Sequence, residues 1–158
     1  MKLPLFQNDD ALRKRPSIPT HGCYFRSLSA LAEMHAGETL TPRQIIEQYD
    51  WCIDNSHIVD EFGRQAFVMH PNHVGRAAQF HLGVPQTFKA VSRVSIAPYD
   101  KHDFMTHDTP THYIAMGIIA GASIPHFWVI DKDRTELWDP LSPSREKITI
   151  LSVRGFIL

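Results

Sequence analysis

The sequence contains few cysteines, no surplus of charge of either sign and no long apolar run. Two cysteines are too few for the disulfide framework of a small secreted protein. With 16 Lys and Arg against 17 Asp and Glu, the chain has no excess positive charge to neutralise phosphates, so we expect no nucleic-acid partner. No stretch is long and apolar enough to cross a bilayer, so we expect no membrane span.

The first ten residues lack the apolar centre of a secretory signal peptide and soon become acidic. The default expectation is therefore a cytoplasmic protein, while non-classical export or phage release stays open. A disulfide between Cys23 and Cys52 is disfavoured in that compartment. The chain of 158 residues has the length of one domain.

The periodicity of apolar residues changes once along the chain. Residues 1–20 show no periodicity and contain three prolines, so we predict an arm there and a domain over 21–158. Steps of three and four residues predict helices from about Cys23 to His35, after the N-cap Thr41, and from Asn72 to Gly83. Short apolar strands are predicted at 87–94, 113–120, 126–131, 135–139, 147–151 and 155–158. Helices followed by hairpin-linked strands predict an α+β fold with an antiparallel sheet.

Cys23 follows Gly22 at the start of the first predicted helix. A thiol in the first turn of a helix faces unpaired backbone N–H groups and the positive end of the helix dipole. Both favour the thiolate, which is the reactive form. We therefore predict that Cys23 is a catalytic nucleophile. For Cys52, which lies in an apolar helical pattern, we expect an inert core thiol.

A cysteine nucleophile needs a nearby base and a third group that orients the base. His126 opens one predicted strand and Asp139 closes the next, across a short polar turn. Because paired strands lie about 5 Å apart, the carboxylate can reach the imidazole. We predict His126 as the base and Asp139 as its orienting partner. His112 also opens a strand and is the rival base, but no carboxylate follows it at hairpin distance.

These residues carry a resemblance to a known family. Gly22-Cys23-Tyr24-Phe25 at a helix start, His126-Phe127-Trp128-Val129-Ile130 on a strand and Asp139-Pro140 on the next resemble the papain-like cysteine peptidases. The chain is most similar to the compact bacterial branch that includes double-glycine leader peptidases. The resemblance implies a helical half carrying the nucleophile, a sheet half carrying the base, and a cleft between them. It also implies a peptide or protein substrate, such as a cell-wall peptide, and no cofactor.

The sequence departs from that family at one position. Members of the branch usually have a glutamine about six residues before the cysteine that helps to bind the oxyanion; here the residue is Ser17, and the nearest upstream glutamine is Gln7. We expect Thr20 or His21 to replace it, beside the Cys23 backbone N–H. The same departure leaves open a catalytically inactive, peptidase-like binding module.

Histidines suggest a second alternative. The long irregular segment 97–112 contains histidines and aspartates over 102–112, a combination suited to zinc or iron. A metal-dependent hydrolase centred there is the third hypothesis, although the spacing matches no compact metal motif. His70 and His73 flank Pro71-Asn72, where capping by Asn72 explains the segment without a metal. We therefore predict no metal site.

Overall fold

Helices dominate the first half of the chain and strands the second. The computed structural model describes residues 2–60, 66–96 and 100–158. The helices are a 3-10 turn Asp10–Leu12, α1 Ser17–His21, α2 Cys23–Ala36, α3 Pro42–Asp54 and α4 Pro71–Leu82. The strands are β1 Ile58–Val59, β2 Phe67–Val68, β3 Lys89–Ser95, β4 Phe104–Met105, β5 His112–Ile119, β6 His126–Ile130, β7 Glu136–Trp138 and β8 Lys147–Ile157.

Helix α2 joins the helical layer to the sheet. Its apolar residues recur at three- and four-residue steps, and Phe25, Leu28 and Leu31 are buried in the core. The helix ends at Gly37, whose φ of 71° lies in the left-handed region that glycine adopts without strain. Helix α2 packs against both α4 and β6. The predicted helix starting at Cys23 is therefore confirmed.

The other two predicted helices are present, but one begins differently. Thr41 caps α3: its hydroxyl accepts from the Gln44 N–H at 3.2 Å, and the Gln44 side chain accepts from the Thr41 N–H at 2.9 Å. Helix α4 begins at Pro71, and Asn72 does not cap it. The Asn72 side chain instead accepts from the Ala90 N–H at 2.6 Å. The predicted capping by Asn72 is wrong, because this side chain connects α4 to β3.

The strands form one antiparallel six-stranded sheet in the order β4-β3-β8-β5-β6-β7, and β1 pairs with β2 in a separate hairpin. The α+β class with an antiparallel sheet is thereby confirmed. Two strands were expected over 147–158, but β8 is continuous. Gly155 lies within this strand. A glycine is needed at this position because a Cβ would lie 2.5 Å from side-chain atoms of Pro110 and Ser92. That glycine permits close packing and does not interrupt the strand.

Residues 2–20 differ from the predicted arm, because they pack against the rest of the chain. Leu12 and Ile18 are completely buried, and Ser17–His21 forms α1. The Arg26 guanidinium in α2 donates to the Leu5 carbonyl at 3.1 and 3.0 Å. The buried residues are few and widely spaced, so the segment contributes to the core without showing a helical or strand period.

A buried ion pair fixes this packing. Nη2 of Arg26 lies 3.0 Å from Oε2 of Glu33, and neither side chain is exposed. The second carboxylate oxygen of Glu33 accepts from the Leu40 N–H at 2.7 Å. Because a buried charge is costly without its partner, the two residues depend on each other. The pair links the N-terminal segment to both ends of α2.

Candidate active site

Cys23 is the first residue of α2 and lines a cleft of about 940 Å³. The preceding residue explains this position: a Cβ on Gly22 would lie 2.4 Å from the carbonyl oxygen and 2.8 Å from the Cα of Ile18. Glycine therefore lets the chain pass directly from α1 into α2. Among the described residues, the Cys23 backbone N–H has no acceptor. It is one of the unpaired donors of a helix start.

The hairpin of β6 and β7 brings His126 and Asp139 together. His126 begins β6, Asp139 directly follows β7, and Nε2 of the imidazole lies 2.8 Å from Oδ1 of the carboxylate. Both residues are buried, with 5% and 4% of their surface exposed. The Cys23 thiol is near enough to contribute to the electrostatics of the His126 side chain. Because Asp139 occupies Nε2, Nδ1 is the ring nitrogen left for the thiol. The structure thus brings the three predicted residues into one chain of contacts.

Aromatic packing holds the helix against the strand at this point. The rings of Tyr24 and Phe127, which follow Cys23 and His126 in sequence, stack with centroids 4.3 Å apart and an interplanar angle of 13°. Two residues further along β6, the Trp128 ring lies nearly parallel to the His126 ring, with centroids 6.2 Å apart. These contacts limit how far thiol and imidazole can separate.

The Asp139 carboxylate is fully engaged. Oδ1 accepts from His126 and from the Leu141 N–H, each at 2.8 Å, while Oδ2 accepts from the Ser144 hydroxyl at 3.0 Å and from the Lys147 ammonium. Burial alone would raise the pKa of Asp139. The hydrogen bonds from His126, Lys147 and the Leu141 N–H outweigh it and lower the pKa to about 2. The carboxylate is therefore ionised at neutral pH and fixed in orientation.

The same interactions determine the charge of the imidazole. Burial by itself lowers the pKa of His126, but hydrogen bonds to Asp139 and Cys23 outweigh burial and raise the pKa to about 9. His126 is thus an imidazolium at neutral pH.

The two expected oxyanion donors line the cleft, but their hydrogen bonds limit them. The Thr20 hydroxyl donates its one hydrogen to the Pro16 carbonyl at 3.0 Å. The Thr20 oxygen also lies 3.0 Å from Nδ1 of His21, so that nitrogen carries the hydrogen of this contact. Neither the Thr20 hydroxyl nor Nδ1 of His21 offers a free hydrogen in this arrangement.

Gln7 lies in the same cleft, although no sequence pattern indicates a role for it. Its backbone N–H donates to the Pro140 carbonyl at 2.7 Å, beside Asp139. Its side-chain amide donates one hydrogen to the Pro19 carbonyl at 3.0 Å, and the other hydrogen has no acceptor among the described residues. Gln7 is buried, with 2% exposed. No local pattern indicates this placement, since it depends on the path of the N-terminal segment.

The other candidate residues lie elsewhere. Cys52 is completely buried in the core, where burial raises the pKa of its thiol to about 12. Both cysteines are free, so the disulfide left open by the sequence is absent. His112 lines a different cavity and packs edge-on against His35 with ring centroids 5.0 Å apart. Ser17, at the expected glutamine position, is buried away from the cleft lining.

Histidines also gather outside the cleft. Nδ1 of His57 lies 3.0 Å from Nδ1 of His70, and the rings of His57 and His73 stack with centroids 4.2 Å apart. In the 102–112 segment, Asp103 binds Ser95. Within the described ranges, no group of three or more His, Cys, Asp or Glu side chains is arranged to hold a metal ion. The part of the 97–112 segment at 97–99 lies outside the described residues.

In the part of the chain that the structure describes, no helix combines the length and apolarity needed to cross a membrane. Comparisons with protein-family models, curated proteins and solved structures gave no match. We therefore infer function from the geometry and chemistry of the cleft itself.

Proposed function

We propose that this chain is a thiol hydrolase that cleaves a peptide or related amide bond, on a papain-like arrangement of helical and sheet halves. One observation carries the proposal: the His126 imidazole hydrogen-bonds Asp139 and interacts with Cys23, and the three residues lie at a cleft large enough for a peptide segment. The nucleophile comes from a helix start, while base and carboxylate come from one hairpin of the sheet.

The proposed mechanism uses the protein's own groups. The Cys23 thiolate attacks the carbonyl carbon, and the imidazolium of His126 gives its Nδ1 proton to the leaving amine, which produces a thioester and a neutral imidazole. That imidazole then takes a proton from water, whose oxygen attacks the thioester. The acid product leaves, and the thiolate–imidazolium pair forms again. Asp139 keeps Nε2 bonded throughout and stabilises the positive ring.

Oxyanion binding is assigned to two donors. The unpaired backbone N–H of Cys23 is one, and the second amide hydrogen of Gln7 is the other. Gln7 thus takes the role expected of the glutamine that is missing before the cysteine. On this proposal, Gln7→Ala lowers turnover by about 10²-fold, the usual effect of removing one oxyanion donor.

The first test is alkylation of Cys23 by iodoacetamide at pH 6.5, with the labelled site identified by mass spectrometry. An ordinary thiol with a pKa of about 8.5 is about 1% thiolate at this pH. We expect wild-type Cys23 to react quickly and His126→Ala to slow the reaction by about 10²-fold, because the imidazolium is lost. Equal rates in the two proteins would contradict the proposal.

Two controls accompany this test. His112→Ala removes the rival base and is expected to leave the rate unchanged, since His112 lines the other cavity. Cys52 serves as an internal control that stays unlabelled in the folded protein. A fast, His126-dependent thiol that cleaves none of a broad peptide library would favour the binding module over the hydrolase.

A further inference from the structure

The cleft beside the candidate nucleophile contains, among the Arg, Asp and Glu residues of the described part of the chain, only arginines. Its lining includes Arg93, Arg145 and Arg154 but, among the described residues, no aspartate or glutamate. The chain as a whole has a net charge of −1, so this is a local property of the cleft. A concave, partly apolar wall strengthens the field of such cations and attracts a group of opposite charge.

Arg154 is the most informative of the three arginines. Only 6% of it is exposed, although arginine is rarely buried without a counter-ion. Its guanidinium bonds neutral atoms, the Ser152 hydroxyl at 2.7 Å and the Met116 sulfur at 3.7 Å. Among the described residues, the Asp103 carboxylate acts on it electrostatically, but no carboxylate oxygen lies within ion-pair distance of it. A buried cation with this environment has unused capacity to bind an anion.

Arg93 lies directly opposite Arg154 in the pairing of β3 with β8. Like charges at directly opposed positions of antiparallel strands are destabilising. The Nε of Arg93 is buried without a hydrogen-bond partner, and its nearest recorded carboxylate oxygen, on Asp103, lies 3.9 Å away. That carboxylate already accepts from the backbone and side chain of Ser95. Among the described residues, the two cross-strand guanidiniums therefore share the single negative charge of Asp103.

The pair is next to the candidate catalytic residues. The Arg154 guanidinium carbon lies 4.8 Å from the centre of the Phe127 ring and 5.4 Å from that of Tyr24. Those rings belong to the residues that follow His126 and Cys23. Stacking on the two rings holds the guanidinium in place, which makes it a preorganised fork for a planar carboxylate.

We propose that Arg93 and Arg154 form a carboxylate-binding subsite. This inference rests on the proposed function, and it implies that the enzyme acts on peptides with a negative charge next to the cleaved bond. The carboxylate belongs to an acidic side chain or to a chain end. Exposed apolar side chains on the rim of the cleft suit the flanking residues of such a peptide. They are Phe67, Met69, Phe104 and Ile124.

Binding is tested first without any reaction. Acetyl-glutamate α-amide and the neutral acetyl-glutamine α-amide differ only in one charge. In ¹H–¹⁵N spectra, the side-chain Nε–H signals of Arg93 and Arg154 should shift with saturation for the acid and not for the amide. Acetyl-alanine, with a terminal carboxylate, distinguishes the two sources of the group. Charge-assisted bonds make the preferred acid bind at least about tenfold more tightly than its amide.

Variants connect this preference to the arginines. Arg154→Gln should weaken binding of the acid, read from the Arg93 signal, by at least about tenfold. The affinity of Arg154→Lys for the acid should lie between those of wild type and Arg154→Gln, because lysine keeps the charge but loses the planar fork. Arg43→Gln, at an exposed position of α3 outside the cleft lining, is the matched control. Equal binding of acid and amide, or equal acid binding in Arg154→Gln and wild type, would overturn the subsite.

A second measurement asks whether the subsite is next to Cys23. The Cys23 sulfur displaces iodide from both iodoacetyl-glutamate α-amide and iodoacetyl-glutamine α-amide, so the ratio of the two rates does not depend on thiol reactivity. We expect a ratio of at least about ten in wild type, falling towards one in Arg154→Gln. A ratio of one in wild type would contradict the placement. If Cys23 reacts with neither reagent, the hydrolase fails, while the spectra still decide the subsite.

Discussion

Replacing Asp139 by asparagine tests the electrostatics of the candidate site most directly, because the side chain keeps its size and loses its charge. The His126 pKa of about 9, against the ordinary 6.5, corresponds to about 3 kcal/mol in favour of the protonated ring. Burial opposes that preference, and the hydrogen bond to Asp139 is the largest contribution in its favour. We expect Asp139→Asn to lower the His126 pKa by at least about one unit, or about 1.4 kcal/mol.

The pKa is measured from the pH dependence of the ring carbon and proton shifts in NMR spectra. Because the chain has 10 histidines, the His126 signal is assigned by its loss in His126→Gln. Cys23→Ala should also lower the His126 pKa, since the thiol contributes after Asp139. Asp133→Asn, in the exposed turn of the same hairpin, is the matched control and should have no effect. A wild-type His126 pKa near 6.5, or one unchanged in folded Asp139→Asn, would refute the reasoning.

Three further predictions concern stability, each measured by urea denaturation. Because the folded-state pKa of His126 lies above its unfolded value, its contribution of about 3 kcal/mol is complete below about pH 6.5 and is lost as the pH rises through 9. Gly22→Ala should cost about 1–3 kcal/mol, since the methyl group would meet the Ile18 backbone. Glu33→Gln should cost about 3–5 kcal/mol, because it leaves the Arg26 guanidinium buried without a counter-charge.

Each stability prediction has its own reference. His126→Gln should show a smaller loss of stability between pH 6.5 and 9.5 than wild type, and parallel curves would contradict the first prediction. Unchanged stability and Cys23 labelling in Gly22→Ala would show that the chain can turn into α2 without glycine. Glu38→Gln, at an exposed position shortly after α2, should leave stability nearly unchanged. A similar small effect for Glu33→Gln would contradict the third.

The sequence was sufficient for the elements whose signals are local. The start of α2 at Cys23 follows from a glycine that precedes an apolar helical period, and Thr41 is recognisable as a cap because Gln44 stands three residues later. The approach of His126 to Asp139 follows from hairpin geometry, since 13 residues and a short turn separate them. The resemblance to papain-like peptidases stays a prediction, as does the catalytic role of the three residues.

Features set by distant contacts were not predictable from local pattern. Gln7 reaches the cleft because Arg26 binds the Leu5 carbonyl and the Gln7 N–H binds the Pro140 carbonyl, and neither contact leaves a trace in sequence spacing. The opposition of Arg93 and Arg154 requires the order and register of the strands. Asn72 is a typical capping residue near a helix start, yet its side chain accepts from the N–H of a strand residue and does not cap the helix.

The central position of β8 has a consequence for folding. Its pairing with β3 places Lys89 opposite Ile157, so two segments far apart along the chain must meet before the sheet is complete. Until β8 is inserted, β3 and β5 each have an unpaired edge. Such non-local pairing slows folding and leaves strand edges available for aggregation. We therefore expect slow, concentration-sensitive refolding, with the arginine pair assembled only when β8 joins β3.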